Sequence, residues 1–141
     1  MNYTFKENQL DYETYYILRK SVKWNNWSRE QAEIALGNSY YTVTVFDNKV
    51  PIGMGRVVGD GIYFMIMDIV VRPEYQRMGI GSAIIHMFLE YIEKNMCVGS
   101  RVSVQLISEP DKEQFYIKQG FKLIPHEYCG PELRKVIYKK G

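Results

Sequence analysis

A chain of 141 residues that is 46% hydrophobic and 24% charged has the balance of one globular domain with a substantial core. Its 18 Lys and Arg against 16 Asp and Glu leave a net charge of +2, too small a field for sequence-blind binding to nucleic acid. Cys97 and Cys129 stand far apart without neighbouring ligands, which excludes a disulfide framework and a zinc ribbon, and no metal is expected. The start, Met-Asn-Tyr-Thr-Phe-Lys-Glu-Asn, is not a secretory signal, and no apolar run approaches the roughly 18 residues that span a bilayer. The expectation is a soluble cytoplasmic protein with no membrane partner. Aromatic residues make up 14% of the chain, mostly as 12 Tyr.

Asp11 to Ser21 reads as a helix, with Asp11 as N-cap and Tyr12, Tyr15, Tyr16 and Ile17 as its apolar positions. Ser28-Arg29-Glu30-Gln31 carries a capping-box pattern and opens a second helix, which Gly37-Asn38 stops. Tyr40–Phe46 and Val50–Val58 are rich in β-branched and aromatic residues, and Asp47-Asn48-Lys49 supplies the turn of a hairpin. After Gly59-Asp60-Gly61, Ile62–Val71 is apolar on both alternating faces, as a central strand is. Its acidic residue, Asp68, is expected to share a face with Ile66 and Val70, and Pro73 closes the strand. From Ile80 an apolar stripe at helical spacing runs to Ile92 and frays near Asn95. A strand over Val102–Ile107 precedes a helix that starts around Ser108-Glu109-Pro110-Asp111 and ends at Gly120. Phe121–Ile124 and Leu133–Lys139 are expected as two final strands. The class is α+β, a mixed sheet with helices in a single domain over 1–141.

The chemistry concentrates between the central strand and the apolar helix. Gly79 and Gly81 allow backbone amides to turn toward a ligand, and the helix behind them offers unpaired amides and a positive dipole end. Such a site suits a pyrophosphate, although glycine at a strand-to-helix turn also serves the turn alone. No Walker A string is present, and the third glycine of a dinucleotide fingerprint is replaced by Ile84.

Gln76-Arg77-Met78-Gly79-Ile80-Gly81, preceded by Val71-Arg72-Pro73 and Tyr75, resembles the pyrophosphate motif of the GNAT superfamily of acyl-CoA-dependent N-acetyltransferases. Phe115-Tyr116-Ile117-Lys118-Gln119-Gly120-Phe121 resembles a second motif of that family, in the same order along the chain. The resemblance implies a mostly antiparallel mixed sheet flanked by helices and acetyl-CoA as cosubstrate. It places the pantetheine along Ile69, Val70 and Val71, with Gln76, Arg77, Met78, Gly79, Ile80, Gly81 and Ser82 around the pyrophosphate. Arg72, Arg77 and Lys112 are candidates for outer phosphate contacts. Tyr116 would be the general acid for the departing thiolate and would also touch the cofactor. The family often has Asn where Glu109 stands and a small residue where Lys112 stands, so the usual side-chain contact to pantetheine is not carried over.

The acceptor implied is a primary amine of a small molecule, attacked directly; a protein or peptide amine, or a non-catalytic acyl-CoA-binding module, are the alternatives. A homodimer is compatible with either. An alkylammonium of pKa about 10.4 must lose a proton before it can attack. Asp68 is the leading candidate for the base, with the equally open role of a structural acceptor for backbone amides or a cation. Glu33, Glu109 and a water chain are the other routes. His86 falls on the polar side of its helix, and His126 sits in a late loop beside Glu127.

Overall fold

A short alternation of Tyr3 and Phe5 with Thr4 and Lys6 builds an edge strand, β1 (Tyr3–Glu7), in the computed structural model, which describes residues 3–141. Two helices follow, α1 (Tyr12–Ser21) and α2 (Arg29–Gly37). Both begin as their caps dictate: Asp11 accepts from the Thr14 amide and Ser28 from the Gln31 amide. Strands β2 (Tyr41–Asp47), β3 (Val50–Gly59) and β4 (Tyr63–Val71) form an antiparallel meander. A 3₁₀ turn at Pro73–Tyr75 leads into α3 (Ile80–Lys94), which returns the chain to β5 (Ser103–Leu106). The last helix is α4 (Glu113–Ile117).

The sheet order is β1-β2-β3-β4-β5, antiparallel except for the parallel β4–β5 pair. The mixed, mostly antiparallel sheet with helices is the expected class. The chain divides into two compact units at Ile107/Ser108. The first holds the sheet with α1, α2 and α3. One of its apolar clusters brings Leu10, Tyr15, Leu18 and Ala32 together with Met54 and Val70. On the opposite side of the sheet, Ile84, Ile85 and Phe88 of α3 are fully buried, and Phe88 meets Tyr41 edge to face. Each such side chain contributes about 1.5–3 kcal/mol by leaving water. Among the described residues, no helix is long and apolar enough to cross a membrane.

Three differences from the sequence expectations matter. Strand β1 was not anticipated, although its period-2 alternation was there to read. The helix expected from Ser108 to Gly120 is confined to Glu113–Ile117, and Gly120 beyond it has the left-handed φ of +98°. The strands expected over 121–124 and 133–139 do not form. The late segment holds only an isolated bridge between His126 and Cys129, and Leu133, Ile137 and Tyr138 are 91%, 81% and 83% exposed. A β-prone composition makes a strand only where a neighbouring strand and a face to bury against are supplied.

Candidate functional site

A β-bulge in β4 organises the site. Met54 pairs with Val70 and Arg56 with Met67, so the single residue Gly55 of β3 faces both Asp68 and Ile69 of β4. The extra residue is Asp68, at a left-handed φ of +55°. The bulge resets the alternation of side chains. Ile66 pairs with Val57 and Val57 with Tyr41, which packs on Phe88, so Ile66 faces α3. Asp68 and Val70 instead meet α1. The shared face expected for Ile66, Asp68 and Val70 is therefore corrected: the inserted residue turns Asp68 away from Ile66.

The parallel ladder to β5 stops at Ile66↔Leu106. Beyond it Met67–Val71 keeps its β3 neighbours, and no β5 pairing continues alongside. Ile69, Val70 and Val71 thus lie on a stretch of strand edge that a ligand backbone can join. The Gln76 side-chain amide donates to the Val71 carbonyl at 2.9 Å and ties the following loop to the strand end.

That loop is shaped for an anion. Arg77 and Gly79 have φ of +65° and +83°, and Gly79 is the N-cap of the 15-residue α3 with no side chain to cap it. Since glycine has no side chain to offer, the first turn of α3 begins at the positive end of the helix dipole without an N-cap side-chain hydrogen bond from Gly79. The Ala83 amide closes onto the helix, donating to the Gly79 carbonyl at 3.0 Å. Nothing stands within 4 Å of where a Cβ on Gly79 would be. Gln76, Arg77 and Met78 are exposed around this opening. The loop is braced from below: the Tyr75 hydroxyl donates to Asp47 at 2.6 Å, which pushes the phenol's pKa up, and the Tyr3 hydroxyl reaches the Met78 sulfur at 3.5 Å. Arg72 donates from its Nε to the Pro51 carbonyl at 2.7 Å, which leaves its terminal nitrogens as the donors for an outer phosphate. Arg77 is exposed beside the loop, and Lys112 is exposed in the second unit.

Asp68 is held as an acceptor for cations. Its carboxylate is 8% exposed and accepts from Tyr15 Oη at 2.9 Å, Arg19 Nη1 at 2.5 Å and Arg56 Nε at 2.8 Å. A carboxylate holding two guanidinium groups and a phenol is an acceptor for cations. Burial, followed by the charge of Asp68, raises the pKa of the Tyr15 phenol, so it donates as a neutral hydroxyl. Sequence reasoning found Asp68 but not its partners. The signal was a charged Arg56 inside an apolar strand and an arginine one helical turn after Tyr15.

In the second unit Tyr116 lies on α4, with its ring edge-on to Phe115 and Phe121 at 4.9 and 6.2 Å. Burial first, and the nearby Glu109 charge second, raise its pKa above the ordinary tyrosine value, so the phenol keeps its proton throughout the neutral range. Of the weaker candidates, Glu33 is exposed and paired with Arg29 at 2.8 Å, and His86 is exposed beside Glu90. His126 belongs to the late bridge, where its Nδ1 accepts from the Tyr128 amide. Among the described residues, no three His, Cys, Asp or Glu side chains are grouped to hold a metal ion.

Comparison with known proteins converges on one family. The family model for the acetyltransferase (GNAT) domain matches residues 11–140. The chain is 32% identical over 113 residues to the ycf52-like N-acetyltransferase of Prochlorococcus marinus, covering 77% of this chain and 61% of the relative. It is 29% identical over 106 residues to the N-acetyltransferase ycf52 of Pyropia yezoensis, covering 72% and 59%. The chain thus spans about three fifths of these curated relatives. Among solved structures, a probable acetyltransferase of meticillin-resistant Staphylococcus aureus superposes with a TM-score of 0.81 at 32% identity, covering 95% of this chain and all of that one (100%). A GNAT family acetyltransferase of Streptococcus pneumoniae gives 0.79 at 28% identity, with 96% and 98% covered.

Proposed function

The chain belongs to the acetyltransferase (GNAT) family, and from that premise we propose that it transfers the acetyl group of acetyl-CoA to a primary amine of a small molecule by direct attack. The observation that carries this reading is the pairing of two features of the backbone. A strand edge loses its β5 neighbour after Ile66, and close behind it in sequence a helix begins at a left-handed glycine with no capping side chain. The first suits the amide-rich pantetheine arm, and the second suits a pyrophosphate.

Acetyl-CoA supplies the activated acyl group. Ile69, Val70 and Val71 would align its arm by backbone hydrogen bonds, and an amide on this stretch would polarise the acetyl oxygen. The amides of Gly79 to Ser82 would hold the pyrophosphate, with Gln76 fixing the loop to the strand end. Tyr116 would hold the proton destined for the coenzyme A sulfur, and its raised pKa supports that role. Asp68, already accepting three hydrogen bonds, is not the base in this mechanism; the amine's proton leaves to water. The free thiols of Cys97 and Cys129 accord with a reducing compartment such as the cytoplasm.

The test is a panel of small primary amines and lysine-containing peptides incubated with acetyl-CoA, with coenzyme A release read by a thiol-reactive chromogen. A blank without acceptor removes the signal of the protein's own thiols. Acceptor-dependent thiol release on small amines is the expected result. Release only on peptides would move the acceptor to the protein class, and calorimetric binding of acetyl-CoA without turnover on any acceptor would leave a binding module.

A further inference from the structure

We propose that Arg19 is a positioning residue for the acceptor side of the reaction, holding the loop 22–28 between α1 and α2 against the bulge at Asp68. The inference rests on the acetyl-transfer reading above. One guanidinium makes both attachments. Its Nη1 donates to Asp68 at 2.5 Å and its Nη2 to the Asn25 carbonyl at 2.6 Å. Its plane lies near the rings of Tyr15, Trp24 and Trp27 at 5.6, 5.2 and 5.8 Å. The Trp24 amide also donates to the Arg19 carbonyl at 3.1 Å, so main chain and side chain of one residue hold the same loop.

Charge and shape both argue that this is more than an ion pair. Arg19 and Arg56, with side chains 11% and 10% exposed, face the single carboxylate of Asp68, which leaves one positive charge in excess in a nearly dry place. Arg19 Nε is buried without a hydrogen-bond partner. Arg56 alone would neutralise Asp68, so the second cation has to be accounted for by what else it touches, and that is the loop. A lysine at position 19 could still meet Asp68. It could not also reach the Asn25 carbonyl or present a planar face to two indoles.

The position gives the contact its consequence. Asp68 immediately precedes Ile69, where the open edge proposed for the acyl group begins. The loop is therefore held one side chain away from the point of attack, and its Trp27 is 50% exposed. An incoming amine would be oriented by this wall, while the phosphate-binding loop beyond Pro73 lies outside the contact.

The chain's two tryptophans, Trp24 and Trp27, both lie against Arg19, so acrylamide quenching of their emission reports on the loop. Three variants, Arg19→Lys, Trp27→Ala and Asp68→Asn, are compared with the wild type by circular dichroism, acetyl-CoA calorimetry and steady-state kinetics on the best amine of the panel. In Arg19→Lys, quenching rises and the amine KM increases about tenfold, the order expected for one lost charge-assisted hydrogen bond, with acetyl-CoA affinity within about twofold of wild type. Trp27→Ala, a change at the surface that leaves the ionic cluster in place, also raises the amine KM. Unchanged amine KM in both variants, or a fall in kcat alone, overturns the proposal. Asp68→Asn retains the acidic limb of the kcat–pH profile; loss of that limb with a drop beyond a hundredfold makes Asp68 the base and also overturns it. Absence of acetyl-CoA binding to the wild type strikes the acetyl-transfer reading itself, an outcome separate from any change confined to quenching and amine KM.

Discussion

Gly79 and Gly61 form a matched pair for testing the phosphate-binding loop. Both have left-handed backbone, with φ of +83° and +101°, and neither would bring a Cβ within 4 Å of another atom. Gly61 lies in the turn between β3 and β4, away from the strand end that leads to α3. Replacing either with alanine costs about 1–2 kcal/mol for an L-residue in that region, so both variants melt several degrees lower by similar amounts. Only at Gly79 does the new methyl enter the space in front of the uncapped helix amides. At a concentration of 100 times Kd, acetyl-CoA stabilises the wild type and Gly61→Ala by about 2.7 kcal/mol. A tenfold loss of affinity in Gly79→Ala cuts that to about 1.4 kcal/mol at the same concentration, a difference visible in melting curves with and without ligand and measurable directly by calorimetry. Equal ligand-induced shifts in the two variants would refute the assignment of the pyrophosphate to this loop.

Tyr116→Phe removes the proposed acid and lowers kcat about a hundredfold with acetyl-CoA affinity within about twofold; an unchanged kcat between pH 6 and 9 would remove Tyr116 from the mechanism. The same raised phenols set the alkaline limit of stability. Tyr15, Tyr41 and Tyr116 bind their protons more tightly folded than unfolded, so the native state holds more protons above about pH 10 and stability falls as pH rises through their folded values. Melting temperature is therefore level through the neutral range and declines above about pH 10, less steeply in Tyr41→Phe; identical slopes would show that Tyr41 does not contribute. Gly55→Ala would set a Cβ 2.6 Å from Ile69 Cδ1 and 2.8 Å from Phe88 Cζ, an overpacking cost of about 1–3 kcal/mol in urea unfolding, and a neutral result would mean that the α3 face gives way more easily than a close-packed core should.

What could be read from residues alone followed the strength of the local signal. The caps at Asp11 and Ser28 and the long stripe of α3 are written in contiguous residues, and they formed where expected. The uncapped glycine at the head of α3 was legible for the same reason. The bulge was not: an extra residue in a uniformly apolar strand is invisible until the register of β3 is known, and it changes which residues share a face with Asp68. Nor could the sequence supply the partners of that carboxylate, since Tyr15 and Arg19 come from α1, 53 and 49 positions away, and Arg56 meets it only through the bulged register of β3. Beyond β5, composition promised strands at 121–124 and 133–139, but a strand depends on its neighbour, and nothing within the segment's own residues supplies one beyond the bridge at His126 and Cys129.

The parallel ladder between β4 and β5 has four residue pairs, Tyr63–Ile66 with Ser103–Leu106, whereas its antiparallel neighbours are longer and joined by short turns. Its two strands are separated in the chain by the whole of α3, so joining them closes a long loop, as joining β1 to β2 across α1 and α2 does at the other edge. In folding, the meander can zip up turn by turn while this seam waits for α3 to dock, and once folded it is the seam least buttressed against transient opening. The fork where β4 and β5 part is thus built on the shortest ladder of the sheet, where widening by a breath of motion disturbs the fewest bonds.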